Sequence, residues 1–210
     1  MQLRRADVLA GAIAILDEYG LADLTMRRLA TSLHVQPGAL YWHFKDKQSL
    51  LGAIADALLA GVDAAPSSTE WDDQIRELAH RLRDALLSHR DGAELIAATY
   101  ASRLVTNGVR ERLAAICIRA GLARTDAESA ADTVLYYVLG RTVDEQTRLQ
   151  MDSAGALPDS ASPLFDTPPF DTPPFDTPLF DTPDATTRFD FGLGLFVDGV
   201  RHQLGDRARA

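Results

Sequence analysis

Apolar residues recur at helical spacing along most of the chain, and this pattern predicts an all-α fold. From Arg5 to Tyr19 the stripe is Val8, Leu9, Ala12, Ile13, Leu16 and Tyr19, with Asp7 near the positive end of the helix and Gly20 after its last turn. Thr25 suits an N-cap, its hydroxyl accepting from a backbone N–H one turn on, for a short helix that buries Leu29, Ala30 and Leu33. His34-Val35-Gln36 predicts a tight connection. Pro37 then opens a second short helix, where its missing N–H costs nothing, and Ala39 to His43 follow on it. Trp42 and Leu40 read as core residues. Two short helices joined by such a turn make a helix-turn-helix, whose second helix can enter a major groove.

Asp46 caps the next predicted helix, from Lys47 to about Gly61, which buries Leu50, Leu51, Ile54, Ala57 and Leu58. The turn-rich run 64–69, AAPSST, marks a boundary. Trp71, Ile75, Leu78, Leu82, Ala85 and Leu86 form another stripe up to Ser88, where Ser88-His89-Arg90-Asp91-Gly92-Ala93 interrupts it. Helices are expected from Ala93 to Arg103, from Asn107 to Ala120 and from Thr125 to Gln150, the last aided by Asp126 in its first turn. A final helix from Phe189 to Leu204 carries Phe191, Leu195, Phe196, Val200 and Leu204. Gly192, Gly194 and Gly199 among them suggest close helix contacts, since glycine costs about 1 kcal/mol relative to alanine in a helix interior.

Residues 152–187 break the pattern. Phe-Asp-Thr-Pro occurs four times at a five-residue period, beginning at Phe165, Phe170, Phe175 and Phe180. Proline at that frequency forbids a regular helix, and the period is far shorter than that of a solenoid. The segment reads as a mobile acidic loop enlarged by duplication; its spaced phenylalanines leave a docking motif as the alternative.

The run LTMRRLATSLHVQPGALYWHFKDK from Leu24 to Lys47, and above all Tyr41-Trp42-His43-Phe44-Lys45 with Lys47, resembles the DNA-binding domain of the tetracycline-repressor (TetR) family. The likeness extends from about Arg5 to Leu59. ALLSHRDGA resembles the tetracycline repressors themselves. The resemblance implies a three-helix helix-turn-helix domain over 1–46, a connecting helix over 47–63 and a helical ligand-binding and dimerisation domain over 70–210. In that family the long eighth helix and the last helix pair with their symmetry mates in a four-helix bundle. The implied partners are double-stranded operator DNA, a second copy of the chain and a small-molecule effector.

The same resemblance places Arg27 on the first helix of the motif and Gln36, Pro37, Gly38, Ala39 and Tyr41 at or near base edges. Thr25, Tyr41, His43 and Lys47 fall where phosphates are held, although His43 also suits satisfaction of a backbone group. Tetracycline repressors carry bulkier residues where this chain has Gly38-Ala39, so a different operator is expected. They also hold a drug-bound magnesium through a histidine shortly after the SHRDGA segment, and alignment through SHRDGA puts Ile96 there. An isoleucine cannot coordinate a hard cation. The expected effector is therefore small and largely apolar rather than tetracycline-magnesium, in a pocket lined by Leu78, Leu82, Ile96, Thr99, Tyr100, Arg103, Tyr137, Arg141 and Asp144. Ordinary core or surface duty is the alternative for each. A constitutive DNA-binding dimer without an effector is the alternative for the whole.

Charge and composition constrain this reading only a little. The net charge of -9 lies outside the head: residues 1–50 carry six cations against five carboxylates. A near-neutral head can bind DNA if its cations converge on one face. The chain has no apolar run long enough to span a bilayer and begins without a signal peptide, so a cytoplasmic protein is expected. The single cysteine, Cys117, excludes an internal disulfide and reads as a small core residue, with a redox sensor as the alternative. For catalysis, Asp144-Glu145, His80 and His89 offer acid and base groups. Adjacent residues face different ways on a helix, however, and no nucleophile, metal triad or phosphate loop accompanies them. No catalytic residue, metal or cofactor is assigned.

Overall fold

The computed structural model describes residues 3–62, 64–153 and 184–207, and nine helices account for the regular structure among them. These are α1 (Arg5–Tyr19), α2 (Met26–Ser32), α3 (Pro37–Tyr41), α4 (Lys47–Leu58), α5 (Trp71–Leu87), α6 (Gly92–Ala101), α7 (Val109–Ala120), α8 (Arg124–Ser153) and α9 (Ala185–Arg207). The fold is all-α, as the periodicity predicts.

Local chemistry starts the head's helices where the sequence reading put them. The Thr25 hydroxyl accepts from the Arg28 N–H at 3.1 Å and begins α2. Pro37 occupies the first turn of α3 behind an extended Gln36. The Asp46 carboxylate accepts from the Ser49 N–H at 2.7 Å, and the Ser49 hydroxyl lies 3.3 Å from the Asp46 N–H, a reciprocal cap that opens α4. His34, at φ 56°, turns the chain between α2 and α3.

Three expectations need correction. Trp42 is not core: it is 90% exposed, because α3 ends at Tyr41 and Phe44, 1% exposed, takes the inward place beyond the helix end. Tyr19 ends α1 on the surface, 40% exposed, with the Arg28 guanidinium 3.8 Å above its ring. The two helices flanking the repeats run further than expected, α8 to Ser153 and α9 from Ala185, where the Asp184 carboxylate accepts from the Thr187 N–H at 2.9 Å. The Phe-Asp-Thr-Pro repeats read as a loop lie outside the described residues.

One continuous core runs through the molecule. In the head, Val8, Leu16, Leu24, Leu29, Leu40, Phe44 and Ile54 are buried together. In the body, α5, α7 and α8 pack against one another, α6 crosses α4, α5 and α8, and α9 lies along α8. Cys117 is fully buried there, as expected of a core residue, and burial pushes its thiol up to about 11.

The SHRDGA segment joins head to body. His89 Nδ1 lies 3.0 Å from an oxygen of Asp17, the Arg90 guanidinium donates to the Glu18 carbonyl at 3.0 Å, and Asp91 Oδ2 accepts from the Leu21 N–H at 2.7 Å. From α8, Gln146 holds the same turn: its amide oxygen accepts from the Ala93 N–H and its NH2 donates to the His89 carbonyl, at 3.0 and 2.8 Å. Two glycines make the fit possible. A Cβ at Gly92 would come within 2.5 Å of the Leu86 carbonyl, and one at Gly20, where φ is 86°, within 2.6 Å of the Asp91 carboxylate.

Candidate functional site

The α2–α3 hairpin presents its polar and aromatic residues to solvent on a rigid base. Leu29, Ala30 and Leu40 are buried below it, while Thr25, Arg27, Gln36, Pro37 and Gly38 are exposed. Tyr41 is 51% exposed, and Ala39, His43 and Lys47 are partly so. All nine residues assigned to DNA are thus accessible on or beside one short hairpin. Thr25 spends an oxygen lone pair on its cap, which leaves its O–H free to donate to an outside acceptor. A Cβ built at Gly38 meets nothing within 4 Å, so no packing inside the chain demands glycine there. The end of α3 is held from behind by Arg5, which donates to the His43 carbonyl at 2.8 Å and lies 4.1 Å above the Phe44 ring.

The nine residues assigned to the effector are not brought together. Leu82, Ile96 and Thr99 are buried in packed core, the Thr99 hydroxyl donating to the Leu95 and Ile96 carbonyls. Leu78 borders a cavity of about 360 Å³ between α5 and α7. Tyr100 and Arg103 border a second, of about 420 Å³, with Arg110, Asp132 and Tyr136. Arg141 and Asp144 border a third, of about 340 Å³, with Glu145 and Arg188. Tyr137 instead donates to the Phe189 carbonyl at 2.8 Å, a contact that Gly192 permits by having no Cβ. Gly194 and Gly199 make no such close contact within one chain. In the second cavity the Tyr100 hydroxyl is buried without a hydrogen-bond partner among the described residues; burial first, then Glu111 and Asp56, push it up to about 12.

The groups weighed for catalysis are engaged separately. Glu145 receives a bidentate pair from the buried Arg83, at 2.9 and 2.6 Å, whereas Asp144 is exposed 3.5 Å from Arg141. His80 on α5 meets Asp190 at 2.8 Å, and His89 in the turn after α5 meets Asp17.

Two family models cover this architecture. The head, residues 8–54, matches that of bacterial regulatory proteins of the tetR family, and residues 65–204 match the tetracyclin repressor-like C-terminal domain. The chain belongs to the tetR family. As a tetR-family protein with an exposed helix-turn-helix, it is a DNA-binding transcriptional regulator. The class E tetracycline repressor of Escherichia coli is 32% identical over 204 residues, 96% of this chain and 92% of that protein. Mycobacterium smegmatis BioQ has a crystal structure that is 47% identical over 95% of this chain and 98% of its own, with a TM-score of 0.80. A BioQ chain solved with its double-stranded DNA operator is 44% identical, at TM-score 0.75 over 95% and 98%. No helix among the described residues is long and apolar enough to cross a membrane.

Sequence reasoning missed Arg5 and Trp42 at the hairpin. For Arg5 the signal is tertiary, since its partners His43 and Phe44 are distant in sequence. For Trp42 it was present but misread, because Phe44 competes for the same inward place.

Proposed function

We propose that the protein is a homodimeric repressor that reads a pseudo-palindromic operator with two copies of α3 in successive major grooves. The observation that carries this reading is the exposed α2–α3 hairpin, bordered by Arg27, Lys45 and Lys47 above a fully buried base. Support comes from the 44% identity to a BioQ chain solved on its double-stranded operator. Arg27 and the stretch Gln36, Pro37, Gly38, Ala39 and Tyr41 serve the bases; Thr25, Tyr41, His43 and Lys47 serve phosphates, which set the register without reading sequence. The open side of Gly38 lets the groove approach the backbone of α3. Trp42 adds a flat, exposed ring to the same surface.

Dimerisation is assigned to α8 and α9. Tyr136, Phe191 and Leu195 are 59%, 70% and 61% exposed, a large apolar surface that a second copy would cover. The domain limits proposed with this reading are 1–46 for the head, 47–63 for the connection and 70–210 for the body. A small effector in the body shifts the dimer to a state whose heads cannot dock together, which requires it to bind that state more tightly.

Selection from random DNA tests the core of the proposal. The expected product is a sequence with dyad symmetry and half-sites one helical turn, about 34–36 Å, apart; unselective retention of DNA would remove it. Calorimetry with tetracycline and magnesium is expected to show no tight binding, because Ile96 is fully buried and offers no ligand atom. A submicromolar constant would overturn that part.

A further inference from the structure

Resting on the reading of the protein as an effector-responsive regulator, we propose that the cavity between α5 and α7 is the effector site and takes an amphiphilic carboxylate, an anionic head on a short apolar body. Its volume, about 360 Å³, falls at the lower end of the range of small-molecule sites, about 300 to 1,000 Å³. Its walls divide by chemistry. Leu78, Ala115 and Ile116 give it an apolar lining, and Arg81, Arg112 and Arg119 border it with Glu111, Arg81 being already paired with Glu77. Arg119, held by the neutral side chain of Gln74, is the cation that an anionic head would meet and that a neutral or cationic ligand of the same shape would not use. This replaces the expectation of a largely apolar effector seated against Leu82, Ile96 and Thr99, where the interior is packed.

The arginines are already oriented by groups that leave donors over. Arg119 donates to the side-chain oxygen of Gln74 at 2.8 Å, and the buried Gln74 is itself held through its NH2 by the Ser68 and Thr69 carbonyls at 3.0 and 3.3 Å. A guanidinium has five N–H donors, so Arg119 retains several for a carboxylate. Arg81 pairs with Glu77 and donates to the Ala64 carbonyl at 2.8 Å and the Ala65 carbonyl at 3.3 Å. Ala64 and Pro66 also border the cavity, on the segment that continues from α4.

That arrangement links occupancy to DNA. α4 is packed against α1 of the head, and Arg81 ties the chain beyond α4 to α5. A carboxylate at the rim competes for Arg81 and loosens its hold on Ala64 and Ala65. The end of α4 then moves relative to α5, and with it the head. The effector so bound prefers the state in which Arg81 has left these carbonyls, which is the differential affinity a switch requires.

The test is isothermal calorimetry of the full-length protein with sodium octanoate and sodium dodecanoate, and with 1-octanol as the neutral control, followed by operator gel shifts. Saturable binding of at least one carboxylate is expected, with none by 1-octanol at equal concentration. Affinity should fall at least tenfold in Arg119→Gln, an exposed position where the shorter side chain keeps an amide donor, and also in Ala115→Phe, which fills the apolar lining. In the gel shift the bound carboxylate should lower operator affinity at least fivefold, and Arg81→Ala should do so without any ligand. Equal binding of 1-octanol, unchanged affinity in both variants, or no binding of either carboxylate overturns the site. Operator affinity that ignores both the bound carboxylate and Arg81→Ala overturns the coupling. Failure of the unliganded protein to bind any operator strikes the regulator reading instead, and the calorimetric result stands apart from it.

Discussion

The surfaces of the hairpin and of α9 both leave large aromatic side chains in solvent, but their surroundings differ. On the head, Tyr41 and Trp42 belong to the same hairpin as Arg27 and are followed by Lys45, which is 85% exposed and lies 3.9 Å from Asp46. On α9, Phe191 and Leu195 stand among Asp190, Asp198 and Arg201, where the charges are of both signs and pair with one another or with neighbouring helices. The first surface suits a polyanion: cations border it, and its aromatics are held on a short, rigid hairpin. The second suits another apolar surface, and the open positions of Gly194 and Gly199 allow a helix to approach closely. Exposed aromatics alone do not reveal the partner; the charges around them do.

The largest effect is expected where the second surface is broken. Phe191→Asp combined with Leu195→Asp should convert the protein to monomer in sedimentation velocity and reduce operator affinity at least a hundredfold, because both heads must bind together. A persistent dimer would move the interface elsewhere. On the first surface, Arg27→Ala and Tyr41→Ala should each lower gel-shift affinity about tenfold, equivalent to about 1.4 kcal/mol, with the dimer intact. Trp42→Ala belongs to the same test: an exposed substitution should stay within about 0.5 kcal/mol of wild-type stability while operator binding weakens. A large loss of stability would return Trp42 to a packing role.

The smallest effect concerns neither surface and sets a baseline for both. Tyr100 holds its proton up to about 12 in the folded chain, against 10.0 for an unperturbed tyrosine. The unfolded chain therefore releases that proton first. The stability associated with Tyr100 is present below pH 10 and declines as pH rises toward 12. Tyr100→Phe should flatten that decline in urea unfolding between pH 9 and 11. An unchanged pH slope would show that the hydroxyl is not buried in solution.

Features set by neighbours in sequence were the ones legible in advance. Thr25, Pro37 and Asp46 act within three residues of themselves, so the starts of α2, α3 and α4 could be read directly. The end of α3 could not, because whether Trp42 or Phe44 turns inward depends on how α1 and α4 close over the hairpin. SHRDGA was recognisable by likeness, but its partners Asp17, Glu18 and Leu21 lie some seventy residues earlier in the chain. The effector residues show the limit of alignment. Correspondence gave Leu82, Ile96 and Thr99 a position, whereas side-chain volume decides whether space remains beside them. A cavity does open at the α5–α7 rim, bordered by Arg81 and Arg119, whose carbonyl and amide partners are tertiary.

The closeness of Gly20 to Asp91 has a consequence for recombination. One carboxylate accepts from Leu21 in the head and, through its other oxygen, from Gln150 near the end of α8 at 2.6 Å. A head grafted from a relative with any side chain at position 20 would push into that carboxylate and unseat both bonds. Chimeras that exchange DNA specificity should therefore carry the glycine along with the hairpin, even though it lies outside the DNA-reading surface.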